Sequence, residues 1–152
     1  MGYTHYWKQD GSPKSAETFN RIGKDFTKVF PFIKAQVGIE SGFADKDKPP
    51  VEEYCIWLNG EGKGAEDFYF PLYNYTDLDF CKTRQLPYDL AVVVALSIAK
   101  VHLGHDIHIG TDGEDRDWRR GIELCSNILG HEYDHLDITD RGKLRFASWN
   151  LK

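Results

Sequence analysis

His131-Glu132-Tyr133-Asp134-His135 matches the HExxH pattern, in which two imidazoles one helical turn apart hold zinc and the glutamate acts as general base. Its surroundings argue against that chemistry. Gly130 directly before it reads as a helix end, Asp134 puts a charge inside the motif, and the segment is polar throughout. A surface loop fits it better, so His131 and His135 stand as metal candidates only and no cofactor is assigned. His102, His105 and His108 recur every third residue, but Gly104 and the alternating Asp106 to Ile109 break any shared helical face. These histidines read as scattered surface positions, with a metal at His105 or His108 beside a carboxylate as the alternative.

Phe80-Cys81-Lys82-Thr83-Arg84 is more suggestive. Two cations and a hydroxyl precede a helix opened by Pro87, and helix N-termini attract anions through free N–H groups and partial positive charge. Arg84 can fork onto a phosphate or carboxylate. The glycine spacing of a P-loop is missing. The plain alternative is a solvated loop with Arg84 paired to Asp77, Asp79 or Asp89. Cys81 could be a nucleophile if helix and cations depressed its pKa and His5 served as base; a core thiol is the simpler reading. Asp112 to Asp117 is acidic without EF-hand spacing, and serves either to cap a helix or to bind ligand hydroxyls. Tyr3-Thr4-His5-Tyr6-Trp7 reads as a strand with one face in the core and the other able to stack on a planar ligand.

The elements that must position these groups follow from periodicity. Phe19, Ile22, Phe26, Val29, Phe30 and Ile33 predict a helix from about Ser15 to Phe30, ended by Pro31. Val51 to Leu58, the Asn59-Gly60 turn and Asp67 to Tyr73 predict a hairpin, with Pro71 marking an edge strand. Residues 74–85 read as a loop. Pro87 opens a helix running to about Leu103; its residues Leu90 to Leu96 are apolar all round and predict that it is buried, with Gly104 as its cap. A short strand from Asp106 to Gly110 and a helix capped near Asp115 and Gly130 follow. Leu144 to Trp149 reads as a final strand. The expected fold is a single α+β domain over 1–152, with one mixed or antiparallel sheet, about three helices, the central one buried, and 131–152 as a variable extension.

With 152 residues the chain can bury a core without metal or disulfide staples. Three widely spaced cysteines and no CxxC pair fit a reducing compartment. No signal peptide or membrane span is read, so the expected location is cytoplasmic. The net charge of −5 opposes steering toward phosphate backbones, and no duplex nucleic acid partner is expected. Oligomeric state is left open.

Gly2-Tyr3-Thr4-His5-Tyr6-Trp7, Asn59-Gly60, Phe80-Cys81-Lys82-Thr83 with Arg84 and Pro87-Tyr88-Asp89, then Asp112-Gly113 with Asp117-Trp118, together resemble a family of small phage and bacterial proteins of uncharacterised function. The resemblance runs to about Gly130, and Thr111 stands where the family has serine. It implies no activity. It does imply that the marked segments act together, and for a phage protein it implies the host cytoplasm and an accessory or counter-defence role. One pocket formed by Tyr6, Trp7, Asn59, Lys82, Thr83, Arg84, Asp112 and Asp117 would suit an anionic small molecule such as a nucleotide. The alternatives are a phosphoester hydrolase using His5, metal-dependent or not, and a module that binds a host protein.

Overall fold

The computed structural model describes residues 2–9, 15–62, 64–73 and 78–131. The order is β1 (Thr4–Gln9), α1 (Ala16–Lys34), β2 (Ile39–Ser41), β3 (Cys55–Gly60), β4 (Phe68–Pro71), β5 (Asp79–Lys82), α2 (Asp89–Leu103), β6 (Ile107–Thr111) and α3 (Asp115–Leu129). This is an α+β fold. The described strands divide into two antiparallel three-stranded sheets, β5-β1-β6 and β2-β3-β4, where a single sheet was expected. Trp7 joins the two, with its ring 5.3 Å from Phe68 and 6.3 Å from Phe70.

Helix α2 is the buried centre: every residue from Asp89 to Lys100 is buried. It packs on α1 and α3. Gly121 lets α3 approach closely, since a Cβ there would lie 2.6 Å from Val93 Cγ1. Helix α1 starts where expected, with Ser15 Oγ accepting from Thr18 N. It does not stop at Pro31 but runs on to Lys34. An interior proline costs roughly 3 kcal/mol. Keeping Ile33 buried on the same stripe returns about 1.5–3 kcal/mol, which offsets much of it.

Strand β5 occupies part of the expected loop and pairs with β1 at Thr4↔Lys82, His5↔Cys81, Tyr6↔Phe80 and Trp7↔Asp79. The hairpin forms, with β4 and its Pro71 at a sheet edge. Asn59 and Gly60 do not make its turn: they lie inside β3, paired with Glu40 and Ile39 of β2, and the chain turns after them. Gly104 and Gly130 end α2 and α3 at positive φ. Glu114, one residue before the expected Asp115, is the N-cap of α3. The Leu144 to Trp149 strand and His135 lie outside the described residues. No helix among the described residues is long and apolar enough to cross a membrane.

Candidate functional site

The start of β1, the ends of β5 and β6 and the first turns of α2 and α3 meet at one end of the molecule. His5 lies at the centre, fully buried. Its Nε2 donates to Asp89 Oδ1 at 2.7 Å, and its Nδ1 lies 2.8 Å from Thr111 Oγ1. Thr111 Oγ1 already accepts from Gly113 N at 2.9 Å and Trp118 Nε1 at 3.3 Å. That assigns its own proton to His5 Nδ1. Thr83 Oγ1 donates to the same Asp89 oxygen at 2.5 Å. Tyr3 and Trp118 meet the imidazole edge to face, each at 5.2 Å.

This chain of hydroxyl, imidazole and carboxylate resembles a catalytic triad in composition, but it is sealed. Both nitrogens of His5 are occupied, and Thr111 is 1% exposed. His5 therefore cannot reach a substrate as acid or base, which corrects that expectation. The network instead locks four segments together. Cys81 is also corrected: its side chain faces the core, and burial pushes the thiol up to about 12, opposite to a reactive thiolate.

Thr83, Arg84, Asp112 and Asp117 converge here, largely in structural roles. Thr83 is buried in the network. Asp112 Oδ2 accepts from Thr4 N, and Asp112 N donates to Thr4 O, extending the sheet pairing. Asp117 closes the α3 capping box through Glu114 N and accepts from Gln85 Nε2. The Tyr3 phenol oxygen is buried here beside Thr111. Burial, then the carboxylates of Asp89, Asp117 and Asp112, push its pKa well above the ordinary value.

The first amides of α2 are not free for an anion. Asp89 N, Leu90 N and Ala91 N donate to Leu86 O, Pro87 O and Tyr88 O. An anion at this end must be held by side chains. Arg84 is exposed, on a turn closed by Leu86 N to Thr83 O at 3.1 Å. Arg84 and Gln85 both have positive φ, 55° and 59°, the sign pattern of a type I′ turn. Left-handed geometry costs a non-glycine residue roughly 1–2 kcal/mol. The double change Arg84→Asn with Gln85→Gly is thus expected to stabilise the protein by about 1–2 kcal/mol, read as a higher urea midpoint. An unchanged or lower midpoint contradicts the strain.

Trp7 and Asn59 do not join this end. Trp7 is 1% exposed and belongs to the core, so it cannot stack on a ligand. Asn59 organises the hairpin, donating to Ala65 O and Asp67 Oδ1 and accepting from Gly60 N.

The outer face of the β5-β1-β6 sheet presents a different set. His5 and Trp7 point inward, so Tyr6 and Lys8 point out. On β5, Cys81 points in, and Phe80, 57% exposed, and Lys82 point out. Tyr6 and Phe80 are direct cross-strand partners, which places their side chains on one face about 4.5–5.5 Å apart at Cβ. On its other side Tyr6 faces Gly110, which has no side chain to cover the ring. Phe80 was legible in the sequence but not singled out there.

Two clefts lie elsewhere. A groove of about 370 Å³ runs between α1 and residues 51–53, with Phe19, Gly23 and Val51 below and Lys24, Lys28, Glu52 and Glu53 on its rim. No residue singled out from the sequence as a site candidate lines it. A smaller cleft of about 200 Å³ lies between Leu86-Pro87-Tyr88 and the glycines of the hairpin.

A second cluster sits at the opposite end of α2. Asp25 Oδ2 lies 2.6 Å from His102 Nε2 and 3.2 Å from His131 Nε2. His131 follows the end of α3 and is not on that helix, so the HExxH geometry of two histidines on one helix face does not begin there. Compared with known proteins, the chain matches no family model, no curated protein and no solved structure.

Proposed function

We propose that the protein binds a mononucleotide on the outer face of the β5-β1-β6 sheet. The observation that carries this reading is the direct pairing of Tyr6 with Phe80 on an outward face, with Lys8 and Lys82 on the same side. Adjacent rings offer a stacking platform for a base, and every base has a π-face. Lysines beside the rings supply charge for phosphate, and Arg84, just past the end of β5, extends that supply. Asp112 and Asp117, half-buried at the same end of β1, are the groups nearest to hand for ribose hydroxyls. The overall negative charge suits a small ligand better than a polymer, whose binding relies on a broad basic field. Sequestering a nucleotide signal would be one use of such a surface.

The test is isothermal titration of the full chain against nucleoside mono-, di- and triphosphates and cyclic nucleotides. One or more should bind, and inorganic phosphate should bind much more weakly than the nucleotide. A flat response across the panel sinks the reading.

A further inference from the structure

We infer that Asp25, His102 and His131 form a site for a divalent transition metal, zinc by the character of its donors. Asp25 lies midway along α1, His102 in the last turn of α2, and His131 directly after Gly130, where α3 ends. One ligand atom from each lies within 4.8 Å of the other two. The two imidazoles stand nearly perpendicular, 88° between planes, with centroids 5.9 Å apart. Both Nε2 atoms converge on a single oxygen, Asp25 Oδ2.

Zinc bonds of about 2.0–2.1 Å in a tetrahedral arrangement separate neighbouring ligand atoms by about 3.4 Å. The His131 to Asp25 separation of 3.2 Å already fits. The His102 to Asp25 separation of 2.6 Å must open by less than an ångström, within reach of a rotamer adjustment. Two neutral imidazoles and one carboxylate favour zinc and its first-row neighbours over magnesium or calcium, which prefer all-oxygen sets.

Two further features favour a cation. The C-terminal ends of α2 and α3 both reach this place, and each carries partial negative charge. The side chains are partly shielded, 16%, 18% and 28% exposed for Asp25, His102 and His131. That leaves room for an ion to enter and for water to take a fourth position, as in zinc sites that do chemistry. The ion would tie three helices together at one point. The site is independent of the nucleotide reading: none of Asp25, His102 and His131 lies on the β5-β1-β6 sheet.

Without metal, the same groups would be two imidazoles hydrogen-bonded to a shared carboxylate, and the experiment separates the two. The full chain is stripped with chelator and titrated with Zn²⁺, Co²⁺ and Mg²⁺. The expected result is one equivalent of zinc, a cobalt complex with the visible absorption of a four-coordinate site, and no binding of magnesium. His102→Ala and His131→Ala should each weaken zinc binding by more than about 100-fold. His131 lies beyond the last helical turn, so its variant keeps the test open if His102→Ala fails to fold. Asp25→Asn, which keeps the shape and loses the charge, should weaken binding as well. Absence of stoichiometric zinc binding overturns the site and leaves a hydrogen-bonded cluster. So does binding that survives His131→Ala, or that survives His102→Ala with loss in His135→Ala, which would place the metal on the HExxH segment.

Discussion

Asp89→Ala is expected to destabilise the protein by about 3–5 kcal/mol, measured as ΔG of urea unfolding. Asp89 Oδ1 is the shared acceptor for His5 Nε2 and Thr83 Oγ1, both fully buried. Removing the carboxylate strands two donors that have no water to turn to. The loss then spreads: His5 holds Thr111, and Thr111 holds the turn at Gly113 and the indole of Trp118. Asp89→Asn keeps an acceptor in the same place and should cost no more than about half as much. A loss below about 1 kcal/mol for the alanine variant, or equal losses for both variants, contradicts the account of the network.

Lys100→Met is expected to raise stability at pH 7 by about 1–2 kcal/mol. Lys100 is 1% exposed, and its Nζ has one partner, Ile107 O at 2.7 Å. Burial lowers its pKa from 10.5 to about 8. Between those values the unfolded chain binds more protons than the folded one, so the wild type gains stability as pH rises through that window. Below it the penalty is constant. Methionine keeps the length of the stem and removes the charge, at the cost of an unpaired Ile107 carbonyl. The advantage of the variant should therefore shrink from pH 7 to pH 10. A variant less stable at pH 7, or an advantage that does not change with pH, contradicts the burial of an uncompensated amine.

Periodicity made the helices legible. The all-apolar run from Leu90 to Leu96 could only be buried, and the stripe from Phe19 to Ile33 fixed the inner face of α1. Pro31 signals a stop by local propensity alone, and the burial of Ile33 beyond it carries the helix on. Strand β5 was missed because four residues with charges at both ends carry almost no period; only the exposed Phe80 beside the buried Cys81 betrays it. Division into two sheets depends on pairing between distant segments, which a one-dimensional pattern does not carry.

The site was legible in part. Thr83, Arg84, Asp112 and Asp117 do come together, but the residue that binds their elements is Asp89, which the sequence offered only as one of three possible partners of Arg84 and as part of the Pro87-Tyr88-Asp89 segment. Trp7 carried the same aromatic signal as Tyr6, and alternation alone could not say which of them faced the core. Asp25 and His102 are 77 positions apart, and nothing in their local sequence links them to each other or to His131.

The proposed nucleotide site rests on the paired aromatics and lysines of the outer sheet face. Its most direct test is titration of the best-binding nucleotide into wild type, Tyr6→Ala, Phe80→Ala and Lys82→Glu. All three side chains point outward, so the variants should keep the melting behaviour of the wild type to within a few degrees. Each aromatic variant should weaken binding by about 5–150-fold, the equivalent of about 1–3 kcal/mol of lost stacking, and Lys82→Glu should weaken it with a reduced salt dependence. Affinity unchanged in both aromatic variants would contradict the claim and move the ligand off this face.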